Sequence, residues 1–433
     1  MVFKKFLTLF LCYMYGITVW GQAKQPLDPV YISGYFKEIK KATEQGFGIW
    51  NRDLYGNILL VDPVARQLYS NNPDLNHVLK PDENIYQGVL PDTINIANTS
   101  VHWGGKVWAM IMLPLPEDKY ERVNLSVHEL FHTVQPSLGF SQNNKESNHL
   151  ENKEGRIYLR LELEALRKAI LSATSKEQNG HLRQALIFRK HRNALFPGSG
   201  DTENQLELNE GIAEYTGFAM SGRNRKQIKK HFINDLNNFM INPTYVRSFA
   251  YVTTPIYGYL LSLKNKSWNR QISAKTNLTD FFIEKLKIKM PGNVESIPEK
   301  VIEEYNGASI MVQETLRDEK IQAKIADYTT KFIEKPHFEI VFEKMNMSFD
   351  PRNIFSLGNQ GTVYPNIRVT DNWGILEVKN AALVSSDWNR ISVSSPEKIN
   401  ATTIEGDGWI LKLNSNYRVE KDEKNGNYIL VKP

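Results

Sequence analysis

The sequence predicts an α+β fold in which a mixed-sheet lobe is followed by a helical lobe and then by a C-terminal all-β domain. Three observations carry this reading. Short apolar runs separated by turn signals occupy residues 24–120, long segments with apolar residues every three to four positions fill 121–335, and short β-type runs return over 336–433. The chain of 433 residues is 41% hydrophobic and 23% charged, which provides apolar material for more than one core and excludes a disordered or fibrous chain. No repeat of solenoid length and no low-complexity tract interrupts it.

Residues 1–23 read as an export leader. Lys4 and Lys5 precede an apolar run over residues 6–20, and Gly21-Gln22-Ala23 supplies small residues near a cleavage point, so the mature chain is expected to begin near Lys24. A run of about 15 residues is shorter than a bilayer span needs, and no later stretch is long enough. A secreted or periplasmic protein without an integral membrane segment is therefore expected. Cys12, the only cysteine, lies inside this leader, which leaves the mature chain without disulfides or thiolate metal ligands. The formal charge of +5 falls to +3 without Lys4 and Lys5. The basic stretch 223–230 lacks interleaved aromatics and reads as a solvated helix face, so no nucleic-acid partner is expected.

In the first lobe, turn signals fall at Asp53-Leu54-Tyr55-Gly56-Asn57 and Pro91-Asp92, and the clearest strand is 106–115, KVWAMIMLPL, stopped by Pro114 and Pro116. Helical periodicity then runs over 154–173, 178–194, 206–220 and 296–313. Beyond Pro336, β-type runs at 338–342, Gly374–Val378, Trp409–Leu413 and Tyr428–Val431 are separated by Gly, Asn and Asp.

The chemistry concentrates at residues 127–134, VHELFHTV. His128 and His132 are four apart, which on a helix sets both imidazoles on one side, while Val127, Leu130, Phe131 and Val134 fall on the packing side. Asn124 is the expected N-cap, and Pro136 is expected to end the helix. Two neutral imidazoles one turn apart suit Zn2+, and a catalytic zinc takes three protein ligands and leaves one position for water. Glu129, beside the first histidine, is then expected to act as general base on that water.

HELFH together with residues 208–217, LNEGIAEYTG, resembles the HExxH zinc metallopeptidases of the gluzincin type; the resemblance covers the two motif segments and their surroundings. It implies a zincin-like catalytic core that cleaves peptide bonds in a peptide or protein substrate. It also implies Glu210 as third zinc ligand, Glu214 hydrogen-bonded to the far nitrogen of a ligating histidine, and Gly211 as the point where the two motif helices approach closely. The 77 residues between His132 and Glu210 exceed the shortest gluzincin spacing. Glu151, with 18 residues between it and His132, stays open as the alternative ligand but lacks the Asn-Glu-Gly context; His149 is a lesser candidate.

For a donor to the developing oxyanion, the segment 248–257 offers Tyr251 and, second, Tyr257. The resemblance also implies strand 106–115 as the sheet edge to which an extended peptide adds, with His102-Trp103-Gly104-Gly105 lining the cleft; a simple buried strand after a turn stays open beside it. Endopeptidase and aminopeptidase stay open. The readings from other classes are an inactive zinc-binding scaffold or protein- or glycan-binding module, and a zinc hydrolase acting on a non-peptide amide or ester.

Overall fold

The computed structural model describes residues 28–141, 147–350 and 353–432; the expected leader, with Cys12, lies outside them. Helix α1 (Pro29–Gln45) starts where the Asp28 carboxylate accepts the Val30 N–H and Pro29 fixes the first turn. A single turn, α2 (Phe47–Trp50), follows. Six strands then form one sheet: β1 (Ile58–Val61), β2 (Gln67–Ser70), β3 (Lys80–Asp82), β4 (Ile85–Val89), β5 (Thr99–Trp103) and β6 (Lys106–Met112). Their order is β3-β4-β2-β1-β6-β5, with β1 and β6 parallel and the other pairs antiparallel.

Successive residues of a strand face opposite sides. Ile58 and Leu60, with Ala109 and Ile111, pack toward Ile32, Phe36 and Ile39 of α1. Leu59 and Val61, with Trp108 and Met110, build the opposite layer. This placement corrects the expected edge strand. The unbroken apolar run at 107–112 marks a strand covered on both faces, and it lies between β1 and β5; β5 is the edge.

Helices follow: α3 (Lys119–Val134), α4 (Lys153–Leu171), α5 (Ser175–Leu195), α6 (Ser199–Leu206), a π-helical turn (Glu207–Gly211), α7 (Ile212–Met220), α8 (Arg225–Met240), α9 (Ala250–Ser262), α10 (Leu278–Leu286), α11 (Glu299–Glu304) and α12 (Gly307–Thr329). They enclose a shared apolar core that also takes in Trp50 and Leu54. Two expected helices differ in detail. The 206–220 segment passes through the π turn, and 296–313 breaks at Tyr305 and Asn306, the latter with φ 61°. In the basic stretch, Arg225, Lys226, Lys229 and Lys230 are exposed, whereas the Arg223 side chain turns inward to Glu121 at 2.6 Å.

From residue 337 the chain is built of strands: β7 (His337–Val341), β8 (Asn346–Phe349), β9 (Phe355–Ser356), β10 (Thr362–Tyr364), β11 (Ile367–Asp371), β12 (Gly374–Val378), β13 (Ala382–Val384), β14 (Arg390–Ser394), β15 (Pro396–Ile399), β16 (Thr403–Gly406), β17 (Trp409–Leu413), β18 (Arg418–Lys421) and β19 (Tyr428–Val431). They form two sheets, β18-β19-β7-β14-β13-β10-β9 and β15-β16-β17-β12-β11-β8. Phe338, Ile340, Ile391 and Val393 of the first meet Val369, Leu376, Leu411 and Leu413 of the second in one core, which makes the region a β sandwich.

The sandwich is fastened to the first lobe ahead of β5. Asn95 donates to the Asn346 carbonyl (2.9 Å), the Ser348 hydroxyl to the Ile96 carbonyl (3.2 Å) and Arg368 to the Asp92 carbonyl (2.7 Å). Among the described residues, no helix is long and apolar enough to cross a membrane.

Candidate metal centre

Helix α3 begins at Asp118, whose carboxylate accepts the N–H groups of Tyr120 and Glu121. Asn124, expected as the cap, instead lies inside the helix and donates to Glu214 Oε1 at 2.6 Å. The helix stops at Val134, and Pro136 sits in the 3₁₀ turn that follows. Val127, Leu130 and Phe131 are fully buried on the packing side. His128, Glu129 and His132, also buried, face the opposite way, toward Glu210.

The two Nε2 atoms lie 3.0 Å apart, and Glu210 Oε2 lies 3.4 Å from His128 Nε2 and 3.2 Å from His132 Nε2. His128 Nδ1 is 2.8 Å from Glu214 Oε2, and His132 Nδ1 is 2.7 Å from Gln135 Oε1. A carboxylate and an amide oxygen accept, so each ring donates from Nδ1, and in the neutral imidazole the Nε2 lone pair then faces Glu210. Donors bound tetrahedrally to zinc at ordinary bond lengths sit about 3.3 Å apart, so these three atoms match the edges of such a polyhedron. The group can hold a single metal ion.

Without an ion, the same three side chains compete for protons. Burial pushes the His128 pKa down, but hydrogen bonds to Glu210 and Glu214 outweigh it and hold the value well above 6.5. His132 behaves alike: burial opposes the charged ring, and the Glu210 carboxylate raises its pKa. Glu210 is held well below its usual range, because the histidines overcome the cost of its burial.

Glu129 is 5% exposed and does not join the ligand group. Its Oε2 has no hydrogen-bond partner among the described residues, and burial raises its pKa against the pull of His128 and His132. With His128 and Tyr251 it lines a cleft of about 970 Å³. Tyr251, in the first turn of α9, donates its hydroxyl to Glu210 Oε2 at 2.6 Å and stacks on the His128 ring at 5.5 Å and 7°. Burial and the Glu210 charge raise the phenol pKa well above 10, so it is a neutral donor. Tyr257, the other expected donor, is fully buried and bonds Glu162 Oε1 at 3.0 Å; it does not line the cleft.

The turn that carries Glu210 is anchored from beneath. Arg189 grips Glu207 with two bonds of 2.9 Å and Glu162 with one of 2.8 Å, and Thr253 of α9 donates to Glu207 at 2.7 Å. The charged members are 0–1% exposed. A π turn inside a helix often marks a functional position, and no local pattern in the sequence announced this one.

Gly211 has a different neighbour from the expected one. A Cβ there would fall 2.2 Å from Thr254 Oγ1, so this glycine admits α9. The close approach of α3 and α7 occurs at Gly217, where a Cβ would meet the Asn124 carbonyl at 2.3 Å. Glu151 and His149 lie outside the ligand group: Glu151 accepts from Thr244 at 2.8 Å, and His149 Nε2 is 2.6 Å from Glu203. The turn 102–105 joins β5 to β6 and packs on Asp74 and Leu75 instead of lining the cleft. Ile96, Ala97, Asn98 and Met112 line that side.

The cleft also receives a cluster missed in the sequence. His231 of α8 bridges Glu121 and Asp235, each at 3.1 Å. Burial pushes Asp235 up to about 6. Burial opposes ionisation of Glu121 too, but His231 and Arg223 hold it at about 2. His231 and Asp235 are one turn apart on α8, a local pairing, but Glu121 joins them from α3 across about 110 residues, which no spacing in the sequence announces. Comparison with known proteins finds no matching family model, no matching curated protein and no matching solved structure.

Proposed function

We propose that this protein is a zinc-dependent hydrolase, a metallopeptidase of the HExxH gluzincin type with a zincin-like core. The observation that carries the reading is Glu129: a buried carboxylate with an unpartnered oxygen, beside a three-donor group and on the wall of a large cleft. A structural metal site is usually closed by a fourth ligand and needs no base beside it, which speaks against the scaffold reading. The leader-like residues 1–23 support placing the enzyme outside the cytoplasm.

His128, His132 and Glu210 would hold the zinc ion, which would supply Lewis acidity for the carbonyl and for an attacking water. Glu129 takes the proton of that water and returns it to the departing amine; its desolvation makes the carboxylate a stronger base than one in solvent. Tyr251, uncharged, turns its single O–H from Glu210 to the carbonyl oxygen as negative charge develops there. Glu214 and Gln135 keep the two imidazoles turned inward.

The test is hydrolysis of a mixed peptide library by the full chain before chelation, after chelation and after zinc is restored. We expect activity to vanish and return. Glu129→Gln should retain zinc stoichiometry while kcat falls by roughly 10²–10⁴. A fully active Glu129→Gln, or activity indifferent to chelation, overturns the proposal.

A further inference from the structure

The cleft beside Glu129 is not built by the sheet and helices alone. Ser348, Phe349 and residues 366–368 and 377–379 of the sandwich line the same cavity as His128, Glu129 and Tyr251. Ile367 and Val378 are buried parts of the sandwich core, but Phe349 is half-buried. Phe349 ends β8, the outermost strand of its sheet, and its ring is fixed from two directions. Tyr364 meets it edge-on at 4.8 Å from within the sandwich, and the Arg247 guanidinium lies 5.7 Å from its centre. Arg247 precedes Tyr251 by four residues, so the sandwich aromatic and the tyrosine beside the ligand group are held in register through one segment.

Further half-buried apolar side chains line the cavity, among them Ile96 and Met112 from the first lobe, and Leu125, one helical turn before Glu129 on α3. Water-facing apolar surface enclosed in a cleft favours an apolar ligand group. The hydrogen bonds from Asn95, Ser348 and Arg368 fix the sandwich against this lobe at residues 92–96, the Ser348 bond at Ile96 itself, so the wall is preformed. The volume of about 970 Å³ is at the upper end of ligand sites, room for a peptide segment with a large side chain.

We infer that the C-terminal sandwich is the selecting wall of this cleft, with Phe349 reading a large aliphatic or aromatic side chain of an extended peptide held beside Glu129. The inference rests on the hydrolase reading for the identity of the occupant as a peptide, but recognition is separable from turnover. The test therefore uses binding to full-length, zinc-loaded Glu129→Gln. Fluorophore-labelled alanine-based peptides carrying one central Leu or Phe are compared with the same peptides carrying Ala or Asp.

We expect the Leu and Phe peptides to bind at least about tenfold more tightly than the Ala and Asp peptides, the scale on which an apolar pocket discriminates. Adding Phe349→Ala should reduce that ratio to near unity, and Phe349→Leu should restore most of it. Val341→Ala, on the outer face of the sandwich and 64% exposed, should change nothing. The thermal unfolding midpoint of each variant separates lost recognition from lost folding. Undiminished discrimination in Phe349→Ala, equal binding of all four peptides, or no peptide binding overturns the inference. Selective binding by Glu129→Gln alongside a wild type that cleaves none of the bound peptides would overturn the hydrolase reading and leave this one standing.

Discussion

Replacing Arg189 by methionine tests whether the buried charge network positions the metal ligand or merely fills the helical lobe. The Arg189 side chain is 0% exposed and donates to Glu162 once, to Glu207 twice and to Thr279 at 3.2 Å. Its loss leaves Glu207 with the Thr253 hydroxyl, and leaves Glu162 with Arg192 at 2.9 Å and Tyr257 at 3.0 Å. Removing one partner from a buried pair costs about 3–5 kcal/mol, because the remaining charge is stranded away from water. We expect that loss in urea unfolding followed by the helix signal.

Glu207 begins the π turn that ends one residue past Glu210, so the turn should also relax. Chelator competition should then report zinc binding weakened by roughly 10–100-fold, the usual cost of losing support behind a ligand. Adding Glu207→Met removes the stranded partner as well and should recover part of the stability but not the zinc affinity. A stability loss below about 1 kcal/mol, smaller than a stranded buried charge costs, would refute the energetic argument. A full stability loss with unchanged zinc affinity would show that the network does not hold Glu210.

Gly217→Ala places a methyl 2.3 Å from the Asn124 carbonyl. We expect about 1–3 kcal/mol of destabilisation and weaker zinc binding as α3 and α7 separate, measured by denaturation and chelator competition. Tyr251→Phe should lower kcat about 10²-fold with KM little changed in steady-state peptide hydrolysis; a change confined to KM would assign the hydroxyl to substrate binding. Titration calorimetry at pH 7 in buffers of different ionisation enthalpy should show about one to two protons released per zinc bound, because His128 and His132 have raised pKa values without the ion. Zinc affinity should fall as pH drops. In the metal-free protein the sign is opposite: the histidines stabilise the fold fully below their unfolded value of about 6.5 and lose that contribution as pH rises through the raised folded values. A thermal midpoint for the metal-free protein that climbs over this range would contradict it.

Local spacing is enough to read what lies within one element. The period of α3 turns His128 and His132 to one side, and the packing of Val127, Leu130 and Phe131 follows from the same period. The apolar run that follows Lys106 in β6 and the alternation in β17 are likewise short-range patterns. The helix starts at Asp118 and not at the expected Asn124, because both are competent caps and Asp118 lies where the chain enters the helix.

What local spacing cannot express is which distant groups become neighbours. Glu210 joins the histidines across 77 residues because Gly217 and Gly211 let α3 and α9 close on its helix, and because Arg189 pins the turn before it. Whether β6 is central or an edge depends on β1 pairing beside it, roughly 50 residues earlier in the chain. Phe349 reaches the cleft only because the sandwich docks on residues 92–96. Such contacts are set by complementary surfaces and buried polar pairing between elements, whose free energy depends on the assembled shape and leaves no period along the chain.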